Sequence, residues 1–287
     1  MKVLLTGANG QLGRCFIDKF PIDWILLATD SQQLDITDNL AVNNFINEHR
    51  PDVIVNAAAY TAVDMAEDEQ DLAYQVNTIG PKNLAIAAQK YNAKFIHVST
   101  DYVFDGTKNI PYVEEDTTNP INIYGKTKRN GEVAILNNNP SAIIIRTSWV
   151  FSEYGNNFVK TMLKLASNKS ELSIINDQLG CPTYAGDIAN TILTIIMNEF
   201  DGGIYHYCGD QSVTWFKFAS KIFLITEKLN PITTKKITLK PILTSGYPTK
   251  AKRPLYSVLN MNKIEKIAGI KASDWNNALV HVISHIK

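Results

Sequence analysis

Two side chains four residues apart, Tyr124 and Lys128 in Tyr124-Gly-Lys-Thr-Lys128, carry the clearest chemical signal in the chain. On a helix, positions i and i+4 lie on one face, one turn apart, so the phenol and the ammonium can meet. A cation within a few ångströms favours phenolate and is expected to pull a tyrosine below its ordinary pKa of about 10. Such a tyrosine exchanges protons near neutral pH. Lys126, two residues from Tyr124, does not share that face. Alone, Tyr-x-x-x-Lys also occurs by chance on exposed helices, so its setting must decide.

The setting begins at residue 3. The strand-like Val3-Leu-Leu-Thr6 runs into Gly7-Ala-Asn-Gly10-Gln-Leu-Gly13 and then into the helical pattern of Cys15 to Phe20. A helix N-terminus offers free N–H groups and a positive dipole end, and glycines let phosphates approach. The spacing G-x-x-G-x-x-G differs from the G-x-G-x-x-G dinucleotide fingerprint but occupies its place at the first strand. The next apolar run, Trp24 to Thr29, ends at Asp30, where an acid is expected to bond the adenosine ribose and repel a 2′-phosphate, favouring NADH. A capping or turn aspartate is the competing reading. Asp38 is a candidate N-cap for the helix that follows.

Asp52-Val-Ile-Val-Asn56 reads as a buried strand closed by Ala57, Ala58 and Ala59, small residues that leave room for a flat ligand at the strand's carboxyl end. The acidic run from Asp64 to Asp71 opens a long helix as a solvated face that complements the helix dipole. Pro81 predicts a kink or break within it. Lys94 to Ser99 is the fourth strand, with Thr100, Asp101 and Tyr102 at its end, and Asn122 is placed to cap a helix beginning near Tyr124. Strands alternating with helices, up to Ala142–Thr147, predict an α/β fold, a Rossmann-like doubly wound parallel sheet. Thr100, Tyr124 and the alanines then converge on one carboxyl edge.

After Phe151 the alternation loosens. Residues 1–150 are therefore expected to form a dinucleotide-binding domain, and 151–287 mainly a smaller C-terminal substrate-binding domain with segments returning to the first. Expected elements there are helices over Asn156–Leu165, Asp187–Met197 and Trp215–Ile225 and strands over Leu172–Ile175 and Gly203–Tyr207. The aromatics Trp215, Phe216, Phe218 and Phe223 read as core. Lys250, Lys252 and Arg253 form a basic cluster, open between a diphosphate clamp and a solvated turn. His281 and His285 lack a third ligand nearby and read as surface residues.

Lysine plus arginine (28) equals aspartate plus glutamate (28), so no bulk field draws nucleic acid or an anionic membrane. No apolar run nears the roughly 18 residues that would span a bilayer, and the N-terminus starts as a strand, not as a signal peptide. Cys15, Cys181 and Cys208 are odd in number and far apart, which suits reduced thiols in a cytoplasmic protein.

Taken together, Gly7-x-x-Gly10-x-x-Gly13, Asn56-Ala-Ala-Ala59, Ser99-Thr100 and Tyr124-x-x-x-Lys128 resemble the extended short-chain dehydrogenase/reductase superfamily. Within it, Val98-Ser-Thr-Asp-Tyr-Val-Phe-Asp-Gly106, Arg146-Thr-Ser-Trp-Val150, Ile175-Asn-Asp-Gln-x-Gly-x-Pro-Thr183 and Tyr247-Pro-Thr249 with Arg253-Pro254 resemble the dTDP-4-dehydrorhamnose reductase family over nearly the whole chain. The resemblance implies NADPH or NADH as cofactor and a 4-keto nucleotide sugar as substrate, in the synthesis of cell-surface polysaccharide precursors. It implies Thr100, Tyr124 and Lys128 as catalytic residues, with Gly10, Gln11, Leu12, Asp30, Asp35, Ile36 and Ala57–Ala59 along the dinucleotide. Thr100, Asp101 and Trp149 would touch the sugar.

Two departures refine this. Related dehydratases carry Thr-Asp-Glu where this chain has Thr100-Asp101-Tyr102, which disfavours elimination of water. Some relatives dimerise through magnesium held by acids, one just after the glycine loop. Arg14-Cys15 and Tyr184-Ala-Gly186 stand there in this chain, so no metal and a monomer or weak homodimer are expected. The competing functions are a reductase or epimerase of another nucleotide sugar, or a non-catalytic regulatory subunit of the same fold.

Overall fold

The computed structural model describes residues 1–229 and 237–286. The first half alternates as the hydrophobic pattern predicts: β1 Lys2–Thr6, α1 Gln11–Asp18, β2 Ile25–Thr29, α2 Asn39–His49, β3 Val53–Asn56, α3 Gln70–Tyr74, α4 Gly80–Lys90, β4 Lys94–Thr100, α5 Ile123–Asn138 and β5 Ile143–Thr147. The second half adds β6 Val150–Phe151, α6 Phe158–Asn168, β7 Glu171–Ile175, β8 Leu179–Gly180, β9 Thr183–Tyr184, α7 Ala185–Met197, β10 Gly203–His206, β11 Val213–Thr214, α8 Trp215–Leu229, β12 Thr238–Ile242, α9 Asn262–Ala268 and α10 Trp275–His285.

Six strands form one sheet in the order β10-β5-β4-β3-β1-β2. Every pairing in it is parallel. Helices cover both faces. Leu5, Val55, Ile96 and Ile145 pack with α1 and α7 on one side, and Leu4, Ile54, Phe95 and Ile144 pack with α2 and α4 on the other. This is the doubly wound α/β fold that the sequence predicts. Because consecutive residues of a strand face opposite sides, strands buried on both faces read as unbroken apolar runs. A third cluster, with Phe151, Leu172, Phe218 and Leu279, lies apart from the sheet among α6, β7, α8 and α10. The strand Gly203–His206 pairs with Ile143–Arg146 of β5, so the main sheet is completed from beyond residue 150.

Helix ends follow local chemistry. Asp38 caps α2 by accepting from Leu40 and Ala41 N–H, and Asn122 caps α5 by accepting from Gly125 N–H at 2.7 Å. Pro81 has no N–H to give the carbonyl of Asn77, and the chain widens into a π turn over Gln75–Ile79 before α4.

The acidic run departs from the expectation of one long helix with a solvated face. A 3-10 turn, Met65–Glu67, precedes the short α3, and the acids work as anchors. Glu67 accepts from Ile123 N–H at 2.9 Å, Glu69 accepts from the Tyr60 hydroxyl at 2.7 Å, Asp64 pairs with Arg253 at 2.6 Å, and Asp68 pairs with Lys250. Long-range partners of this kind leave no trace in local spacing.

Among the described residues no helix is long and apolar enough to cross a membrane, and no group of three or more His, Cys, Asp or Glu side chains is arranged to hold a metal ion. All three cysteines are buried free thiols, and the fold brings Cys181 beside Cys208 despite their separation in sequence. His281 and His285 are exposed.

Candidate active site

The chain leaves β1 for β2 on one side of the sheet and then returns for β3 on the other, which opens a crevice at the carboxyl ends of β1 and β3. The glycine loop lies in that crevice. Gly7 has φ +74°, and a Cβ there would stand 2.6 Å from Ala58 N; one on Gly13 would stand 2.3 Å from Gly7 O. Both glycines shape the loop from behind, while Gly10, Gln11 and Leu12 line the cleft at the α1 N-terminus. No side chain caps that terminus, so its first N–H groups remain available to an anion. The loop therefore fits the diphosphate of a dinucleotide.

The cleft, about 560 Å³, runs from this loop past Ala57 and Ala59 to Thr100, Asp101, Tyr124 and Lys128, and on to Trp149. A shallower depression of about 480 Å³ near Lys94 and Asp201 lies at the opposite end of β4, without a glycine loop or a tyrosine.

At the cleft floor the Tyr124 hydroxyl lies beside Thr100. The Thr100 hydroxyl donates to Asp101 Oδ1 at 3.1 Å and accepts from Tyr102 N–H at 3.2 Å. Asp101 Oδ2 is buried without a partner. Burial pushes the Asp101 carboxyl up to about 7, opposed by the nearby Ser257 and Thr100 hydroxyls. The expected depression of the tyrosine is not found: burial pushes Tyr124 up to about 12, opposed by the neighbouring Thr100 hydroxyl. Lys128 Nζ is committed elsewhere, donating to Val98 O at 2.7 Å and facing His97 Nε2 at 3.2 Å. Burial pushes Lys128 itself down to about 8, with the Glu132 charge opposing. Spacing shows that two side chains can share a face; it does not show what else competes for the cation.

On the far wall Trp149 holds φ 45°, a left-handed conformation that is strained for a side chain of its size. Its ring stacks on Trp215 with centroids 3.4 Å apart and planes 6° apart. Gly180 leaves room for it, since a Cβ there would meet the indole at 2.5 Å. Phe218 is buried as expected, Trp215, Phe216 and Phe223 are partly buried against the same cluster, and Trp215 in addition lines the cleft.

The remaining expected residues stand further off. Asp30 accepts from Gln32 and Gln33 N–H and from Asn9 Nδ2, which realises its turn role. Asp35 accepts from Thr37 N–H and hydroxyl, and Ile36 is buried against Gly80. The Arg253 guanidinium is held by both carboxylate oxygens of Asp64 and by Ala251 O. Sequence reading missed Thr61, Ser148, Asn157 and Trp215 in the lining. Ser148 follows directly from β5 and was accessible to a strand-end rule, whereas Trp215 arrives from the second half and gave no signal.

A search of family models matches residues 1–287 to the RmlD substrate binding domain family. A dTDP-4-dehydrorhamnose reductase from Aggregatibacter actinomycetemcomitans is 46% identical over 290 residues, spanning 98% of each chain. The chain belongs to the dTDP-4-dehydrorhamnose reductase family. The solved structure of a family member from Clostridium acetobutylicum superposes with a TM-score of 0.93 at 43% identity, covering 99% of each chain. A member from Bacillus anthracis, solved in complex with NADP, gives 0.92 at 38% identity, covering 99% of this chain and 98% of that one.

Proposed function

We propose that the chain catalyses reduction of the 4-keto group of dTDP-4-dehydro-L-rhamnose to dTDP-L-rhamnose, with NADPH or NADH. The observation that carries this reading is that Thr100, Tyr124 and Lys128 line one cleft together with the glycine loop. When bound, the dihydronicotinamide supplies hydride to the carbonyl carbon. The chain's own residues must hold the ketone and deliver a proton to the oxygen as negative charge develops there. Thr100 is suited to orient the ketone oxygen. Tyr124, pushed up to about 12 by burial, stays protonated at neutral pH and so enters the reaction loaded as a donor.

The glycine loop with Gly7, Gly10, Gln11, Leu12 and Gly13 would take the diphosphate, Ala57–Ala59 the flat part of the dinucleotide, and Asp30, Asp35 and Ile36 the adenosine side. Asp101 and Trp149 would contact the sugar. Residues 151–287 would supply most of the substrate side. Asp30 keeps its carboxylate within its own turn, which weakens the argument for NADH over NADPH, and the Bacillus anthracis relative is in complex with NADP. Tyr102, where dehydratases keep a glutamate, argues against elimination, and the intact Thr100, Tyr124 and Lys128 set argues against a regulatory subunit.

The test is oxidation of NADPH and NADH with a panel of 4-keto nucleotide sugars. Turnover is expected with the dTDP-4-dehydro-L-rhamnose substrate, and Tyr124→Phe is expected to bind NADPH normally while kcat falls roughly 10²- to 10⁴-fold. Near-full turnover by that variant would remove Tyr124 as proton donor, and no oxidation with any sugar would favour the regulatory role.

A further inference from the structure

Behind Lys128 runs a buried chain of neutral polar groups whose directions are fixed from one end. Asn56, fully buried at the end of β3, accepts through Oδ1 from Ala58 N–H at 3.0 Å and from the Thr6 hydroxyl at 2.8 Å. A backbone N–H can only donate, so Oδ1 must face Ala58, and the Nδ2 amide group must face His97 Nδ1 at 3.0 Å. An amide NH₂ also only donates. His97 Nδ1 must therefore present its lone pair, which excludes the imidazolium and the Nδ1–H tautomer alike. The single ring proton of the fully buried His97 sits on Nε2, and Nε2 points at Lys128 Nζ, 3.2 Å away.

An N–H aimed at an ammonium is two donors facing each other; aimed at an amine lone pair it is a hydrogen bond. The geometry points to His97 as a positioning residue that holds Lys128 Nζ as a hydrogen-bond acceptor, so that the resting lysine is biased toward the neutral amine. Lys128 keeps two N–H bonds to give, one already directed at Val98 O, and gains a third proton only by breaking its bond with His97. Of the ionisable groups around it, Glu132 favours the ammonium through its charge, but its carboxylate is already paired with Arg146. Tyr124 shares its helix and is protonated, and Glu132, also on α5, accepts from Arg146 at 2.8 and 2.9 Å and from the Ser99 hydroxyl at 2.6 Å. Desolvation of Lys128 and of His97 acts in the same direction as the hydrogen-bond geometry.

This inference builds on Lys128 as part of the proposed reductase site, yet its test needs no turnover. In ¹⁵N-histidine-labelled protein without cofactor, long-range ¹H–¹⁵N correlation is expected to show His97 neutral with its proton on Nε2 from about pH 6 to about pH 9. An Nδ1–H tautomer or an imidazolium overturns the proposal. Asn56→Asp replaces the donor facing Nδ1 with an acceptor. It is expected to move the ring proton to Nδ1, turn Nε2 into an acceptor for the ammonium, and raise the Lys128 ionisation, followed by the ¹³Cε shift of labelled lysine, by about one pH unit or more. A raised ionisation with the proton still on Nε2 would be a plain charge effect and would overturn the mechanism, as would an ionisation that does not move. Should Asn56→Asp fail to fold, His97→Gln, whose carboxamide oxygen can turn toward Nζ, is expected to give the same upward shift; an unmoved Lys128 there overturns it equally.

Discussion

Arg146 and Lys128 are each about 1% exposed, one on β5 and the other on α5, yet the protein treats their charges in opposite ways. Arg146 meets Glu132 in a two-pronged ion pair, and Ser99 and His206 complete its surroundings. Lys128 has a carbonyl, a histidine and the open cleft. A buried cation whose charge is fully matched is a structural part, because nothing about it is left to change. A buried cation without a counter-ion stores a preference for losing its proton. The difference separates framework from chemistry at a distance of one or two helical turns on α5.

The largest effect is expected at the unmatched cation. Lys128→Met should lower kcat roughly 10²- to 10⁴-fold; it strands only the Val98 carbonyl and the His97 Nε2–H, so it should cost less stability than breaking the ion pair of Arg146. A loss of stability as large as that of Glu132→Gln would place Lys128 with Arg146 and collapse the contrast. The converse holds at the matched pair. Glu132→Gln leaves Arg146 buried and unpaired and should cost about 3–5 kcal/mol in denaturant unfolding, with kcat per folded molecule nearly kept.

Asp101 extends the comparison to an unmatched anion. Its carboxyl rises from 3.8 to about 7 on folding, so between those values the folded protein holds more protons than the unfolded chain. Ionising it therefore removes stability as pH climbs through that window and has no effect below it. Asp101→Asn should raise the melting temperature relative to the parent at about pH 8 and change it little at about pH 4. Equal shifts at both pH values would deny the buried carboxyl this role. The smallest effect is expected away from the charges: Trp215→Ala removes the ring stacked on Trp149 and should raise KM roughly two- to tenfold with kcat unchanged, the measure of about 0.5–1.5 kcal/mol for an aromatic pair.

The fold was legible because its signals are local. Apolar runs bounded by Gly7, Asp30 and Asn56 mark the strands, and Asp38 and Asn122 mark helix starts by side chains that bond two or three residues on. Tyr124 and Lys128 were legible for the same reason, as one turn of a helix. What the sequence concealed lies across long separations. His97 is only an interior position of an apolar strand until β3 brings Asn56 against it. Arg253 is a basic residue in a loop until Asp64, 189 positions earlier, occupies it. Trp215 belongs to an aromatic helix until Trp149 turns into a left-handed conformation and meets its face. Spacing records proximity and not the loss of water around the phenol, which is what raises Tyr124.

The pairing of β10 with β5 also governs how the molecule comes into being. During synthesis the first five sheet strands emerge in order, but the outer edge of β5 stays open until residues 203–206 follow, after α6, α7 and the short strands between them. Until then Ile143–Arg146 offers unpaired amides and carbonyls to any neighbouring extended chain. A nascent or truncated polypeptide ending near residue 150 is thus an aggregation hazard; once it has paired, β10 becomes the edge itself, where Lys263 donates to Ile204 O and Glu114 accepts from His206 N–H.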